Sequence, residues 1–496
     1  MSIAIRLNSR RTRRWHIDLQ RTLQITTGED VFLLFEDGPC HSSSIELLLD
    51  LEKVIYLRSN PSPIDRTDPP GFDSSRSVSD AQLVLDLSGN GNRTSDSCLT
   101  LTPLFDGAPQ EEALIGVLLA GRSPVVEVQS SARQETVARV APALDEARSI
   151  GERFEFIVKH TQRALLRAIS APRASTPWKA AHRIYPGASG VGRYAAGLVA
   201  SAAVKRAYQL CLFSPHWRVG WRFVEDGGVW SRHSLEGVPW NSIADPGHHF
   251  YADPFPFTAN GKTFIFVEDF DHRKGIGTIS AIPFDERGQT GPAETVLSEP
   301  WHLSYPYLFE HRGETWMIPE SSQARRISLY RSDHFPSGWV HEANLIEDID
   351  ASDASLVRFG GKWWIFASVR DELGGLMDSL SLFYADDLLG PWLPHPANPV
   401  LVDVAGARQG GWFLLQEGQL WRPVQDCRAG YGRALGLAEV TVLNEQDYAQ
   451  IIHTVLRPDV NWPGRRLHTL NRFGKLECID GSRNSPKFGA AWFRDP

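Results

Sequence analysis

Cysteine is scarce in this sequence: Cys40, Cys98, Cys211, Cys427 and Cys478 are widely scattered, odd in number and without a CxxC pair. That pattern points to reduced thiols and offers no structural zinc site. No apolar run approaches the ~20 residues that cross a bilayer. The most apolar helical stretch, Tyr194 to Val204, is closed off by Arg193 and Lys205. No secretory leader is visible either, since the first 15 residues carry five arginines and no apolar segment follows. A cytoplasmic protein is the expectation, with peripheral attachment to a membrane left open. Positive charge is not in excess: 51 Lys and Arg stand against 59 Asp and Glu, a net −8, which argues against nucleic acid as a partner. The local exception, Arg10, Arg11, Arg13 and Arg14, reads as a solvated basic turn. No GxGxxG follows the first strand and no P-loop occurs, so neither a dinucleotide nor ATP has motif support. No resident cofactor or metal is expected.

What the sequence does have is length and tryptophan. At 496 residues it is too long for one core, so two or more domains are expected. Sixteen Trp suit both the packing of β-sheets and the stacking of sugars. Residues 1–150 alternate strand-like runs (Ile3 to Leu7, Asp30 to Phe35, Gln82 to Ser88) with a helical run, Ser44 to Glu52, which predicts an α/β domain with a mostly parallel sheet. Residues 151–213 carry helical periodicity, rich in Leu and Ala, and are expected to form a helical connector.

From His216 the texture changes to short aromatic strands and turns. Gly261, Gly313, Gly361, Gly418 and Gly474 each sit between two apolar strands, and they recur about every fifty residues, the period of β-propeller blades. Five marks predict a five-bladed propeller over 214–487, followed by a tail, 488–496. The fifth blade is short, and Trp217 to Val224 is the candidate strand that completes it and closes the ring.

In a propeller the inner strands surround one axis, so residues that open them converge across long sequence separations. Eight residues before each marker glycine stand Asp253, Tyr305, Asp353, Gly410 and Arg466. Glu320 ends the second strand of its blade, and Glu268 and Asp269 hold the equivalent place in the first. Several carboxylates at one funnel are what glycosyl chemistry needs: one as base or nucleophile, one as a proton-holding acid, one to set the field. The candidate catalytic residues are Asp253, Asp353, Glu320 and Asp269. Trp301, Tyr305, Tyr307 and Trp412 offer stacking faces, and His302 and His468 offer contacts to sugar hydroxyls or are structural. Arg408, Arg422 and Gln425-Asp426 suit either an anionic group or an inter-blade ion pair.

These phrases resemble known families. Ala252-Asp253-Pro254, Asp353-Ala354-Ser355-Leu356, Gly390-Pro391-Trp392 and Asn398-Pro399-Val400 look like the five-bladed clan of arabinanases, β-xylosidases and fructan-processing enzymes. Across about 215–485 the chain is more similar to the propeller of the glucosamine inositolphosphorylceramide transferase family. The stretches that carry this are Ser304 to Tyr307, Met317 to Ser321, Arg422 to Cys427, Tyr431-Gly432 and Leu467 to Leu470. The resemblance implies a carbohydrate or glycolipid substrate and a part in glycosyl transfer, with a sugar nucleotide as a candidate donor. A glycoside hydrolase of furanoside or pentose type and a non-catalytic glycan-binding scaffold are the alternatives. The hydrolase clan carries its acid in the fourth blade, where Arg408 to Trp412 holds none. Plant members continue into a separate glycosyltransferase domain; ending at Pro496, this chain is expected to rely on the propeller itself or on a partner glycosyltransferase. Leu83 to Ser88, Leu104 to Gly107 and Glu111 to Leu114 are similar to the formyltransferase-type α/β domain, yet the His-Pro-Ser motif of that family is missing. A formyltransferase-like domain without formyl-transfer activity is therefore expected.

Overall fold

A computed structural model describes residues 1–486 apart from 41–42, 57–60, 70–74, 91–97, 133–134, 145–146, 148, 171–211 and 372–373. It falls into two compact units, Met1–Ala202 and Ala203–Pro496. The first begins with β1 (Ser2–Asn8), α1 (Arg14–Thr27), β2 (Asp30–Glu36), α2 (Ser43–Ile55) and β3 (Leu83–Asp86). It continues through β4 (Leu99–Phe105), α3 (Glu111–Leu119), β5 (Val126–Ser130), β6 (Glu135–Val140) and α4 (Ile150–Ser170). The sheet order is β2-β1-β3-β4-β5-β6, parallel through β4 and antiparallel beyond it. In β1, Ile3, Ala4, Ile5 and Leu7 are all fully buried, as befits a central parallel strand covered on both faces.

Expected as the start of a connector, α4 instead packs on this sheet. Its apolar side, Ile150, Phe154, Ile157, Val158, Ala164 and Leu165, is buried. Glu52 of α2 accepts from the Ile150 and Gly151 amides at 3.0 and 2.8 Å, placing a carboxylate at the helix N-terminus where the backbone donors lack partners. The rest of the expected connector lies outside the described residues. Arg13 is a second correction. Far from being solvated, it is buried, because Glu46 of α2 (2.7 Å) and Glu111 of α3 (2.6 Å) compensate its charge. Among the described residues no helix is long and apolar enough to cross a membrane.

The second unit is a ring of five antiparallel sheets. Their inner strands are His249–Ala259, Ser304–His311, Asp350–Phe359, Leu414–Gln416 and Leu470–Phe473. Each turns into its neighbour at a marker glycine: Gly261, Gly313, Gly361, Gly418 and Gly474 all have positive φ, between 57° and 85°. A glycine adopts that conformation without the Cβ clash other residues meet. The second strands are Lys262–Asp271, Glu314–Glu320, Lys362–Arg370, Gln419–Asp426 and Leu476–Pro486. In the fifth blade the third strand is Leu212–Phe223, which precedes the first blade in sequence and pairs antiparallel with Leu476–Pro486. The expected closing strand thus does complete the ring. Between blades the core is aromatic: Phe255, Phe266, Tyr305, Tyr307, Trp316 and Trp363 share one cluster across blades one to three.

Candidate active site on the propeller axis

The inner strands of the first three blades share one irregularity. Each has a bulge, between pairs Phe266/Glu268, Ser304/Tyr307 and Ser352/Ser355. At each bulge one residue has positive φ: Asp253 (49°), Tyr305 (44°) and Asp353 (52°). Such backbone costs on the order of 1 kcal/mol for a residue with a side chain and persists where the surrounding structure imposes it, often at functional sites. The bulge re-aims the side chain. Opposite it, seven positions after the marker glycines, the second strands present Glu268, Glu320, Ser368 and Gln425.

Four buried acids, Asp253, Glu268, Asp353 and Asp480, meet there with the half-buried Glu320. Asp253 accepts from the Thr469 hydroxyl at 2.7 Å, and its own amide donates to Asp480 at 3.3 Å. His468 bridges the two, its Nδ1 2.6 Å from Asp480 and its Nε2 3.8 Å from Asp253. Asp480 also accepts the His468 and Thr469 amides, at 3.0 and 3.1 Å. On the other side Arg408 grips Asp353 through Nε and Nη2 at 2.7 and 3.3 Å and lies 3.7 Å from Glu320. Gln425 donates to Asp353 at 2.9 Å. Trp217 stacks on the His468 ring at 3.9 Å between centroids, and Tyr431 stands edge-on to it and under the Arg408 guanidinium.

Five carboxyl groups against one guanidinium and one imidazole cannot all be ionised in a dry site, so some retain protons. Burial pushes Asp253 up to about 6, with His468 opposing and Asp480 and Asp353 reinforcing. Burial likewise pushes Asp353 up to about 7, against the pull of Arg408 and with Glu320 adding to the rise. Glu268 is raised well above the carboxylate range, by burial and then by Asp253, Glu320, Asp480 and Asp353. His468 moves up as well: burial pulls it down, but Asp480 and Asp253 outweigh that and favour the imidazolium. Among the described residues the Ser368 hydroxyl, Gln425 Oε1 and the Gln409 amide are buried without a hydrogen-bond partner, leaving polar capacity beside the acids. Asp253, His468 and Asp480 place candidate ligand atoms within 4.8 Å of one another and could hold a cation. In the observed geometry the His468 imidazolium supplies positive charge at that point.

The expected residues divide sharply. Asp253, Asp353, Glu320, Arg408 and His468 come together. Asp269 does not: neighbouring strand residues face opposite ways, so Glu268 turns to the axis while Asp269 turns to His249 (2.6 Å) and Ser280 (2.9 Å). His302 accepts the Gly277 amide at Nδ1 (2.9 Å), which leaves the proton on Nε2, 3.4 Å from Glu268. The stacking faces are otherwise employed. Tyr305 and Tyr307 are buried, with hydroxyls bound to Ser355 and Gly411 and to Leu356. Trp412 packs on Phe255 and Phe473 and donates to Leu308. Trp301 lies under Arg326. Arg422 is buried against Tyr448 and the Gly406 and Ala407 carbonyls, so it serves the fold of the fourth blade. Gln425, expected beside Arg408 as a contact to an anionic group, reaches Asp353 instead, and Asp480, Thr469 and Tyr431 were not among the expected site residues.

At its opening on the axis, Gly410, the fourth blade has no room for an acid. A Cβ on Gly410 would lie 2.7 Å from Leu435 and 2.9 Å from the His468 carbonyl. Arg408, two residues earlier, reaches the axis in its place.

Residues 239–477 match the family model described as glucosamine inositolphosphorylceramide transferase 1, N-terminal. The match takes in most of the propeller, which is similar to that family. A glucosamine inositolphosphorylceramide transferase 1 of Oryza sativa subsp. japonica is 34% identical over 249 residues, covering 47% of this chain and 33% of the relative. The Arabidopsis thaliana protein of the same name is 31% identical over 249 residues, covering 47% of this chain and 32% of the relative. The chain thus spans about a third of the length of these curated relatives. Among solved structures, a family 117 glycoside hydrolase from Zobellia galactanivorans aligns over 54% of this chain and 90% of its own, at 13% identity and a TM-score of 0.36. A GH43_1 enzyme from Xanthomonas citri aligns over 53% and 92%, at 13% identity and a TM-score of 0.36.

Proposed function

We propose that the propeller takes part in glycosyl transfer onto a glycan or glycolipid precursor, with the axial acids as its chemical centre. The observation that carries this reading is the pairing of Asp253, raised to about 6, with Glu268, also raised well above the usual carboxylate range by burial, on adjacent strands of one blade. A carboxyl near 6 is mostly ionised at neutral pH and still basic enough to accept a proton from an acceptor hydroxyl. A carboxyl held protonated beside it can donate to a leaving oxygen. Glu268 then fills the role of the acid missing from the fourth blade, with the His302 Nε2 proton orienting it. Asp353, Glu320 and Arg408 set the field, and His468 holds Asp253 in place. The names of the relatives suggest an inositolphosphorylceramide as acceptor. We further propose that the α/β unit, formyltransferase-like in its segment order but lacking His-Pro-Ser, serves as a binding module, in a cytoplasmic protein.

Glycoside hydrolysis uses the same pair of acids and is the second reading. A thermal-shift screen of the purified chain against sugar nucleotides, pentose oligosaccharides and inositol glycans separates the two. Stabilisation by sugar nucleotides is the expected result; a response to free oligosaccharides alone would favour hydrolysis or simple binding.

A further inference from the structure

A second cavity opens in the propeller unit where the loop between the second and third strands of the fourth blade meets the segment leading into the fifth. Its volume is about 490 Å³, and Arg428, Arg433, Arg457 and Arg465 line it together with Asp426 and Gly464. Asp426 is the one carboxylate of the lining, and it is spoken for: Arg428 holds it through Nε and Nη2 at 2.9 and 2.6 Å. The guanidinium groups of Arg433 and Arg457 have no hydrogen-bond or ion-pair partner among the described residues, and both are exposed. The chain as a whole carries a net charge of −8, so four arginines around one hollow are a local concentration against the general balance.

Guanidinium groups present donors in a rigid planar fork that matches phosphate oxygens two at a time. A hollow of this size admits a small ligand. Positive charge in a concave wall also focuses the field, drawing anions from solution. We infer that this pocket binds a phosphate or diphosphate ester, with Arg433 and Arg457 as its principal anion contacts. The two segments that build the pocket are those that deliver Tyr431 and His468 to the axial acids, Tyr431 lying two residues before Arg433 and His468 three after Arg465. A substrate anchored here by its phosphate would therefore have its uncharged part directed along the same rim. The anion site itself does not depend on the reading of the axial acids as catalytic.

The test is isothermal titration of the full chain at low ionic strength with two probes, inorganic pyrophosphate and glycerophosphoinositol, a soluble phosphodiester. The site requires saturable binding of at least one probe, with a Kd of about 1 mM or tighter. Binding should weaken as salt is raised to ~0.3 M, where charges this exposed are screened. The double variant Arg433→Ala, Arg457→Ala should bind at least about tenfold more weakly, since it loses two charge-assisted contacts. Its thermal midpoint should match the parent, because neither side chain supports a partner. Tighter binding of pyrophosphate assigns the site to a diphosphate such as an activated sugar, and tighter binding of the diester to a lipid headgroup. Asp253→Asn should bind both probes as the parent does, which separates a failure here from a failure of the axial proposal. Absence of saturable binding of either probe up to ~10 mM, or equal affinity in the parent and the double variant, would overturn the inference.

Discussion

Replacing Asp253 by Asn should make the propeller more stable at alkaline pH and leave its stability unchanged in acid. The carboxyl rises from 3.8 to about 6 on folding, and burial is the main cause. At ~1.36 kcal/mol per unit, ionising it in the folded state costs about 3 kcal/mol. The sign follows from linkage: a raised acid holds its proton more tightly when folded, so its contribution is intact below pH 3.8 and is lost as pH climbs through about 6. Asparagine keeps an acceptor for the Thr469 hydroxyl, and the backbone amide that Asp480 accepts is untouched. It removes the charge facing His468, which returns part of the gain, so about 1–3 kcal/mol of net stabilisation should remain at pH ~8. For a unit of this size that is a rise of roughly 2–6 °C in the midpoint of the propeller transition. Scanning calorimetry of parent and variant at pH ~8 and pH ~4 reads it directly. A variant that is less stable than the parent at the higher pH, or a difference that persists unchanged in acid, would refute the reasoning. Gain of stability on removing a functional acid is the usual trade at active sites.

Arg408→Leu should do the reverse, lowering stability at pH ~8 by about 3–5 kcal/mol because the Asp353 carboxylate loses its buried partner. Denaturant titration should show the loss growing as pH climbs through about 7 and falling to its acid level below that, because Asp353, raised to about 7 even with Arg408 beside it, holds its proton there. Gly411→Ala should lower stability by about 3 kcal/mol or more, since a Cβ would lie 2.1 Å from the Leu470 carbonyl and the backbone is at φ 140°. Thermal denaturation checks it, and a midpoint within error of the parent would count against the described packing of blades four and five. His302 should be the neutral imidazole with its proton on Nε2 across the neutral range, because burial lowers its proton affinity and Gly277 occupies Nδ1. Nitrogen NMR of the labelled ring distinguishes that tautomer from the imidazolium.

The ring was legible in the sequence because its markers are backbone requirements. Five glycines that must take positive φ recur at blade spacing, and the closing strand could be named because a ring cannot leave an edge unpaired. The inner-strand position of Asp253 and Asp353 was legible for the same reason. Which face a residue takes was harder to read. Glu268 and Asp269 are adjacent, and only the register against Ala252 and Tyr251 places the first at the axis and the second away from it. Asp480 and Thr469 were hidden because the fifth blade departs from the shared spacing: Arg466 holds the counted position but lies against Trp217 and Tyr431. Aromatic residues misled more simply. Tyr305, Tyr307 and Trp412 have the composition of a sugar platform, yet in a ring of wedge-shaped sheets the gaps between blades consume large flat side chains first. In the α/β unit, the fate of Arg13 depended on Glu46 and Glu111, which come from two later helices and leave no local signal beside it.

The most direct test of the axial account is turnover by three variants once a glycosyl donor and acceptor have been found for the parent. Asp253→Asn and Glu268→Gln should each lower kcat by roughly 10²–10⁴-fold, the range for loss of a general base or acid. Asp269→Asn, one residue from Glu268 but turned to His249, should stay within a few-fold of the parent. Equal turnover by Asp253→Asn and the parent, or a loss in Asp269→Asn as deep as that in Glu268→Gln, would contradict the account.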